Sequence, residues 1–189
     1  MEAFVPAVLL AILTQIGDRP AATAAGLATR FGRPLLVGTI ALIVHLVANG
    51  VAAAIAVFAP LQLGSDACTL FLGAAMVMTG VSGLLTEPAA PAPGWLPRHP
   101  FPNIVASLSL SVLGDRTTLL TLALAVAPGM APYAGAGAGL GAGAISMIAA
   151  LGGRPLWDRL PARPVRSVTG LILLVIGLYL AASALHLIG

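Results

Sequence analysis

Six apolar runs of bilayer-crossing length take up nearly the whole chain, and little else is left over. A helical crossing needs roughly 20 residues, which places the expected spans at 3–29, 34–58, 67–86, 103–127, 131–153 and 167–188. A water-soluble domain carries about a quarter charged residues; here the share is 8%, with 59% hydrophobic. Lipid must therefore be the solvent for most of the surface. The expected fold class is an all-α membrane protein with six transmembrane helices and no room for a soluble module.

The breaks between the runs carry turn chemistry. Arg30-Phe31-Gly32-Arg33-Pro34 is a Gly/Pro turn, Pro60 to Asp66 is short, and Pro128-Gly129-Met130-Ala131-Pro132 is tight. Glu87 to Pro102 holds six prolines and reads as a stiff extended linker that cannot be a helix. Arg154 to Arg166 carries four arginines and Trp157, an interfacial anchor. The expected organisation is a first three-helix unit at 1–86, a proline-rich cytoplasmic linker at 87–102 and a second three-helix unit at 103–189.

All nine basic residues are arginines. Outside two motifs described below they follow spans one, three and five: Arg30, Arg33, Arg98, Arg154, Arg159, Arg163 and Arg166. The other loops and both termini have none, so the positive-inside rule puts both termini outside the cytoplasm of an inner or plasma membrane. This topology accounts for the net charge of +3 without nucleic acid, for which no basic helix or aromatic platform is visible. Met1-Glu2-Ala3-Phe4 lacks a basic n-region, so no cleavage is expected. With Cys68 alone there is no intrachain disulfide.

Two short stretches interrupt this apolar background. Thr14-Gln15-Ile16-Gly17-Asp18-Arg19-Pro20 recurs as Ser111-Val112-Leu113-Gly114-Asp115-Arg116-Thr117, an offset of 97 residues from Asp18 to Asp115. The same gapless offset pairs Gly38 with Gly135, Gly73 with Gly170 and Gly80 with Gly177. A unit of three spans is odd, so its second copy enters the membrane from the opposite side. Two inverted three-helix repeats are expected, with the site near the midplane where they meet. The second copy lacks Pro20, so span four is expected to run unbroken and span one to be continuous but kinked, with Pro20 freeing the Ile16 carbonyl.

An ionised side chain at the bilayer centre costs about 2.5–3.5 kcal/mol, so both acids and both bases must face the bundle interior. Neighbours on a helix point about 100° apart, so Asp18 and Arg19 are better placed to pair across the repeats than with each other. Ser107, Ser111, Asp115 and Thr118 are expected to share one helical stripe. Thr14 lies one turn before Asp18, and Gln15 is on the same face. The alternative is that the charges neutralise one another as ion pairs that fix helix register.

Gly-Asp followed by a base, once in each half, resembles the Gdt-one family of Mn²⁺/Ca²⁺–proton exchangers, whose signature is E-x-G-D-K-[TS] in each half. The resemblance extends to six spans, two halves and a proline-rich central loop. It implies a secondary carrier exchanging Mn²⁺ or Ca²⁺ for protons, with no resident cofactor and with lipid, the ion and protons as its partners. The family's binding acids map onto Gln15 and Asp18, and onto Val112 and Asp115. Both glutamates are thus replaced, both lysines are arginines (Arg19, Arg116), and only Thr117 keeps the last position. The implied ion site is Asp18 and Asp115 with Gln15, Thr14 and Ser111, a weaker oxygen shell than the family's. Arg19 and Arg116 are the charge partners and gates, and arginine keeps its charge where lysine can release a proton.

His45 and Asn49, one turn apart in span two, are a proton relay or neutral ligands, or else a hydrogen-bonded clasp between helices. Gly135, Gly139 and Gly143 and, beside them, Gly137 and Gly141 give span five two small-residue faces for close packing, the alternatives being a gate or a homodimer seam. No Ser/His/Asp set or metal-ligand spacing is visible, so an enzyme is not expected. The rivals to cation exchange are a non-transporting membrane scaffold or partner subunit, and a carrier of an anion or small zwitterion with the arginines as ligands.

Overall fold

The computed structural model describes residues 2–58, 64–85 and 99–187. Within them lie eight helices and no strand: α1 (Phe4–Gln15), α2 (Arg19–Phe31), α3 (Pro34–Phe58), α4 (Ser65–Leu85), α5 (Pro100–Val112), α6 (Arg116–Ala125), α7 (Ala131–Trp157) and α8 (Ala162–Ala184). α3, α4, α7 and α8 are long and apolar enough to cross a membrane, and α5 with α6 adds a fifth crossing if that pair, bent by 59°, is one span. α1 is apolar but has 12 residues, and α2 carries Arg19 and Arg30. The chain is thus an all-α, multi-pass membrane protein with four to five candidate spans among the described residues, where six were expected.

The shortfall comes from the motifs. Neither span one nor span four is continuous: both break at Gly-Asp. Gly17 and Gly114 have φ of +81° and +77°, a left-handed conformation that ends a helix and suits glycine. Each glycine is the third residue of a turn closed by a backbone hydrogen bond, from Asp18 N–H to Gln15 O (3.2 Å) and from Asp115 N–H to Val112 O (3.0 Å). The second residues match too, Ile16 at φ −67°, ψ 116° and Leu113 at φ −64°, ψ 116°. These are type II turns, which require positive φ at the third position. Proline does not cause the break. Pro20 sits in the first turn of α2, where its missing N–H costs nothing.

Other boundaries shift by less. Pro100 and Pro102 belong to the first turn of α5 rather than to a linker; residues 86–98, which hold the rest of that proline-rich segment and Arg98, lie outside the described residues. The Arg154–Arg166 break shrinks to Asp158–Pro161, because α7 resumes after a kink at Gly153 and α8 starts at Ala162. Arg163 and Arg166 are therefore helical.

Glycines set how closely the helices approach. A Cβ at Gly135, Gly139 or Gly143 would meet α3 at Ala53, Leu46 or Leu42, within 2.5–2.9 Å, and one at Gly137 or Gly141 would meet the Phe4 or Val8 carbonyl of α1. Both small-residue faces of α7 are covered within the chain, which leaves neither free for a dimer seam. α4 and α8 touch backbone to backbone: a Cβ at Gly73 would stand 2.8 Å from Gly177 O, and one at Gly80 2.6 Å from Gly170 O. Lipid-facing stripes lie outward, as with Ile43, Val47, Val51 and Ile55 on α3, all more than half exposed.

Candidate functional site

The two turns carry Asp18 and Asp115 to the N-caps of α2 and α6. Both acids are buried, at 7% and 6% exposure, and their carboxyl groups are near neighbours. The placement has a local cause: the N-terminus of each half-helix presents unpaired N–H groups and partial positive charge. Because both acids are in turns, the expected 100° divergence between Asp18 and Arg19 does not apply. Pairing across the two copies does occur: Arg116 Nη2 donates to Asp18 Oδ1 at 2.8 Å, and that oxygen also accepts the Arg19 backbone N–H at 2.8 Å.

The second copy is not served in the same way. Neither carboxylate oxygen of Asp115 has a hydrogen-bond partner, although the Arg116 N–H and the Asp18 carboxyl lie nearby. The Arg19 side chain is exposed and makes no ion pair among the described residues. Thr118 Oγ1, in the first turn of α6, is buried without a partner. Ser111 donates to its own helix at Leu108 O (2.8 Å), and Ser107 to Asn103 Oδ1. The turn at Gly114 interrupts the polar stripe expected from Ser107 to Thr118.

Thr14, Gln15, His45 and Asn49 come together in a neutral network one layer away. Gln15 is fully buried; its Nε2 donates to Ser146 Oγ at 3.2 Å and contacts His45 Nε2 at 3.2 Å, and His45 Nε2 meets Ser146 Oγ at 3.0 Å. Thr117 is the hub, donating to Gln15 Oε1 (3.3 Å) and meeting Thr14 Oγ1 (3.1 Å). Thr121 donates to Asn49 Oδ1 at 2.6 Å. Asn49 Nδ2 donates to His45 O, while His45 Nδ1 is left without a partner. α1, α3, α6 and α7 are tied together by these bonds.

Ser146, Thr121 and Arg166 are among the buried polar residues that were not anticipated. Ser146 had a sequence signal, because the 97-residue offset pairs it with Asn49. Thr121 follows Thr117 by one turn, a spacing that a helix beginning at Arg116 makes meaningful. Arg166, expected in a membrane-flanking loop, is 8% exposed with Nε unpartnered, and nothing in the local sequence marks it. Val112 is buried at 2% exposure in the place of a motif glutamate. Among the described residues no three His, Cys, Asp or Glu side chains form a metal-holding group.

An apolar helical bundle whose broken helices bring buried, incompletely paired acids together has the form of a membrane transporter, since half-helix ends facing a polar centre are how such carriers hold ions. The family model of the divalent cation/proton antiporter GDT1 matches residues 100–187, from α5 to the end of α8. The match supports membership in the GDT1 family, and with it a transporter of the cation/proton antiporter type. No curated protein and no solved structure matches the chain.

Proposed function

We propose that the chain is a secondary carrier that exchanges a cation for protons at the Asp18–Asp115 pair. One observation carries this reading: Asp115 is buried beside a second carboxylate with neither oxygen satisfied. An unpaired buried carboxylate is costly, and a bound cation or proton removes that cost. Asp18 and Asp115 would take ion and proton in turn. Arg116 offsets the charge of Asp18, and Arg19, at the exposed end of its own motif, is the residue through which one face would be gated. Thr14, Gln15 and Ser111 complete the set proposed from the motif; Gln15 and Thr14 are hydrogen-bonded to Thr117, two residues past Asp115, and Ser111 would have to change its hydrogen bond to contribute. His45 and Asn49 are assigned to a proton path through the neutral network.

The cargo implied by the family is Mn²⁺ or Ca²⁺. With two carboxylates and one arginine at the centre, further ligands would be hydroxyl, amide and backbone oxygens, since Ca²⁺ takes 6–8 oxygens. Gln15→Glu introduces an acid at a site already facing His45 and Ser146, and is expected to increase Mn²⁺ uptake; Val112→Glu, with no polar partner described there, is expected to lower protein yield. In proteoliposomes with a pH gradient, Asp115→Asn is expected to cut cation uptake at least tenfold. Wild-type-like uptake by that variant would end the assignment.

The architecture is read as two inverted repeats of three crossings, α1–α4 and α5–α8, each beginning with a broken span. Support comes from contacts that exchange under the 97-residue offset. Gly73 with Gly177 becomes Gly170 with Gly80, and Gly38 with Met147 becomes Gly135 with Gly50; all four contacts occur. The arginine distribution puts both termini outside. A carrier of an anion or zwitterion is the second reading, favoured by the buried, unpaired Nε of Arg166. Uptake of Mn²⁺ and Ca²⁺ measured beside uptake of small anions separates the two.

A further inference from the structure

The two Gly-Asp-Arg copies are alike in backbone and unlike in charge pairing, and the cause lies on α4 and α8. The Arg116 guanidinium reaches Asp18 past Gly83: a Cβ built there would stand 3.1 Å from Arg116 Nη1 and 3.1 Å from Gly170 Cα. A methyl at 83 would require one of the two to give by a few tenths of an ångström, and the guanidinium, at the end of a flexible side chain, yields before the α8 backbone does. The 97-residue offset carries Gly83 to Leu180. Leu180 packs against the buried cluster of Ala75, Met76, Leu120, Ala123 and Leu173. Leu180 lies about 27 Å along α8 from Ala162, the residue that Gly17 touches, so no slot like that at Gly83 stands beside Arg19. Arg19 stays exposed, and Asp115 stays without a partner.

We infer that Gly83, for which the second copy has no counterpart, makes the two motif copies unequal, so that Arg116 and Asp18 form a fixed clamp while Asp115 alone is the exchangeable carboxylate. Gly83 is a positioning residue in this scheme. The inference narrows the carrier reading from the acid pair to Asp115 and rests on it for what Asp115 binds; the inequality of the two acids stands on geometry alone. The pair Asp18 and Arg116 contributes no net charge, so the site presents one negative charge to its cargo. The adjacent Thr118 hydroxyl, buried and unpartnered, is a neutral donor set beside it.

The test uses the full chain and two readouts. Dicyclohexylcarbodiimide, which modifies protonated carboxyls in apolar surroundings, is expected to label the Asp115 peptide at least fivefold more than the Asp18 peptide by mass spectrometry. Arg116→Gln and, separately, Gly83→Ala are expected to raise Asp18 labelling severalfold. Equal labelling of the two acids in the wild-type chain would overturn the inference, whether or not any cation is transported. In proteoliposomes, adding Arg116→Gln to Asp18→Asn is expected to raise cation-driven proton flux at least fivefold over Asp18→Asn. Adding it to Asp115→Asn is expected to recover nothing. Rescue of both variants, or of neither while size-exclusion profiles remain native, would show the acids to be equivalent. If the wild-type chain moves no cation, the carrier reading falls and the labelling contrast decides the clamp by itself.

Discussion

Gly17 and Gly114 occupy equivalent turns, yet substituting them should not be equally costly. A non-glycine residue in the left-handed region costs about 1–2 kcal/mol. At Gly114 nothing lies within 4 Å of an added Cβ, so conformational strain is the whole effect. At Gly17 the Cβ would also meet the Ala162 carbonyl at 2.9 Å, where α8 begins. Thermal unfolding in detergent should therefore rank wild type above Gly114→Ala, and Gly114→Ala above Gly17→Ala. An equal loss in the two would mean that the Ala162 contact is easily relieved. At this scale the sequence was half legible. The motif pointed to Asp18, Asp115 and Arg116, which the fold brings close together. The turn type was missed because attention went to Pro20, although glycine directly before a capping aspartate is itself a helix-stop followed by a helix-start.

At the scale of helices, glycine spacing separates contacts that bear load from positions that merely tolerate a hydrogen. Gly80→Ala would push a methyl to 2.6 Å from Gly170 O, and overpacking of this kind typically costs about 1–3 kcal/mol. Gly50 lies inside α3 with nothing within 4 Å. There alanine should stabilise by roughly 0.5–1 kcal/mol, through reduced backbone entropy in the unfolded chain and better helix propensity. Opposite shifts in melting temperature are expected, and a destabilised Gly50→Ala would mean that lipid or a second chain packs there. The apolar runs of α3, α4, α7 and α8 were readable because length and hydropathy alone define a crossing. The first and fourth runs were misread as continuous because hydropathy averages over a turn of three residues. Burial of Arg166 was invisible for a different reason: it depends on where α8 crosses α4, which no local pattern records.

Across the whole molecule, the ends of α4 and α8 offer a check on orientation. Asp66, at the start of α4, lies 3.5 Å from His186, just past the end of α8, so these two points share one membrane face. The arginine pattern assigns that face to the outside, together with both termini, and the α2–α3 turn to the cytoplasm. With Cys68 replaced by serine, a cysteine at His186 should react with a membrane-impermeant maleimide in intact cells, and one at Arg33 only after permeabilisation. The reverse pattern would invert the molecule.

The hub at Thr117 has a consequence for how such a chain can be divided. Its hydroxyl belongs to α6 but serves Gln15 and Thr14 on α1, much as Thr121 serves Asn49 on α3 and Arg116 serves Asp18. Cut between α4 and α5, each fragment would carry stranded amide, hydroxyl and charged groups into hydrocarbon, with no water to accept them. The two fragments are therefore obligate companions, and neither is expected to rest in a membrane without the other.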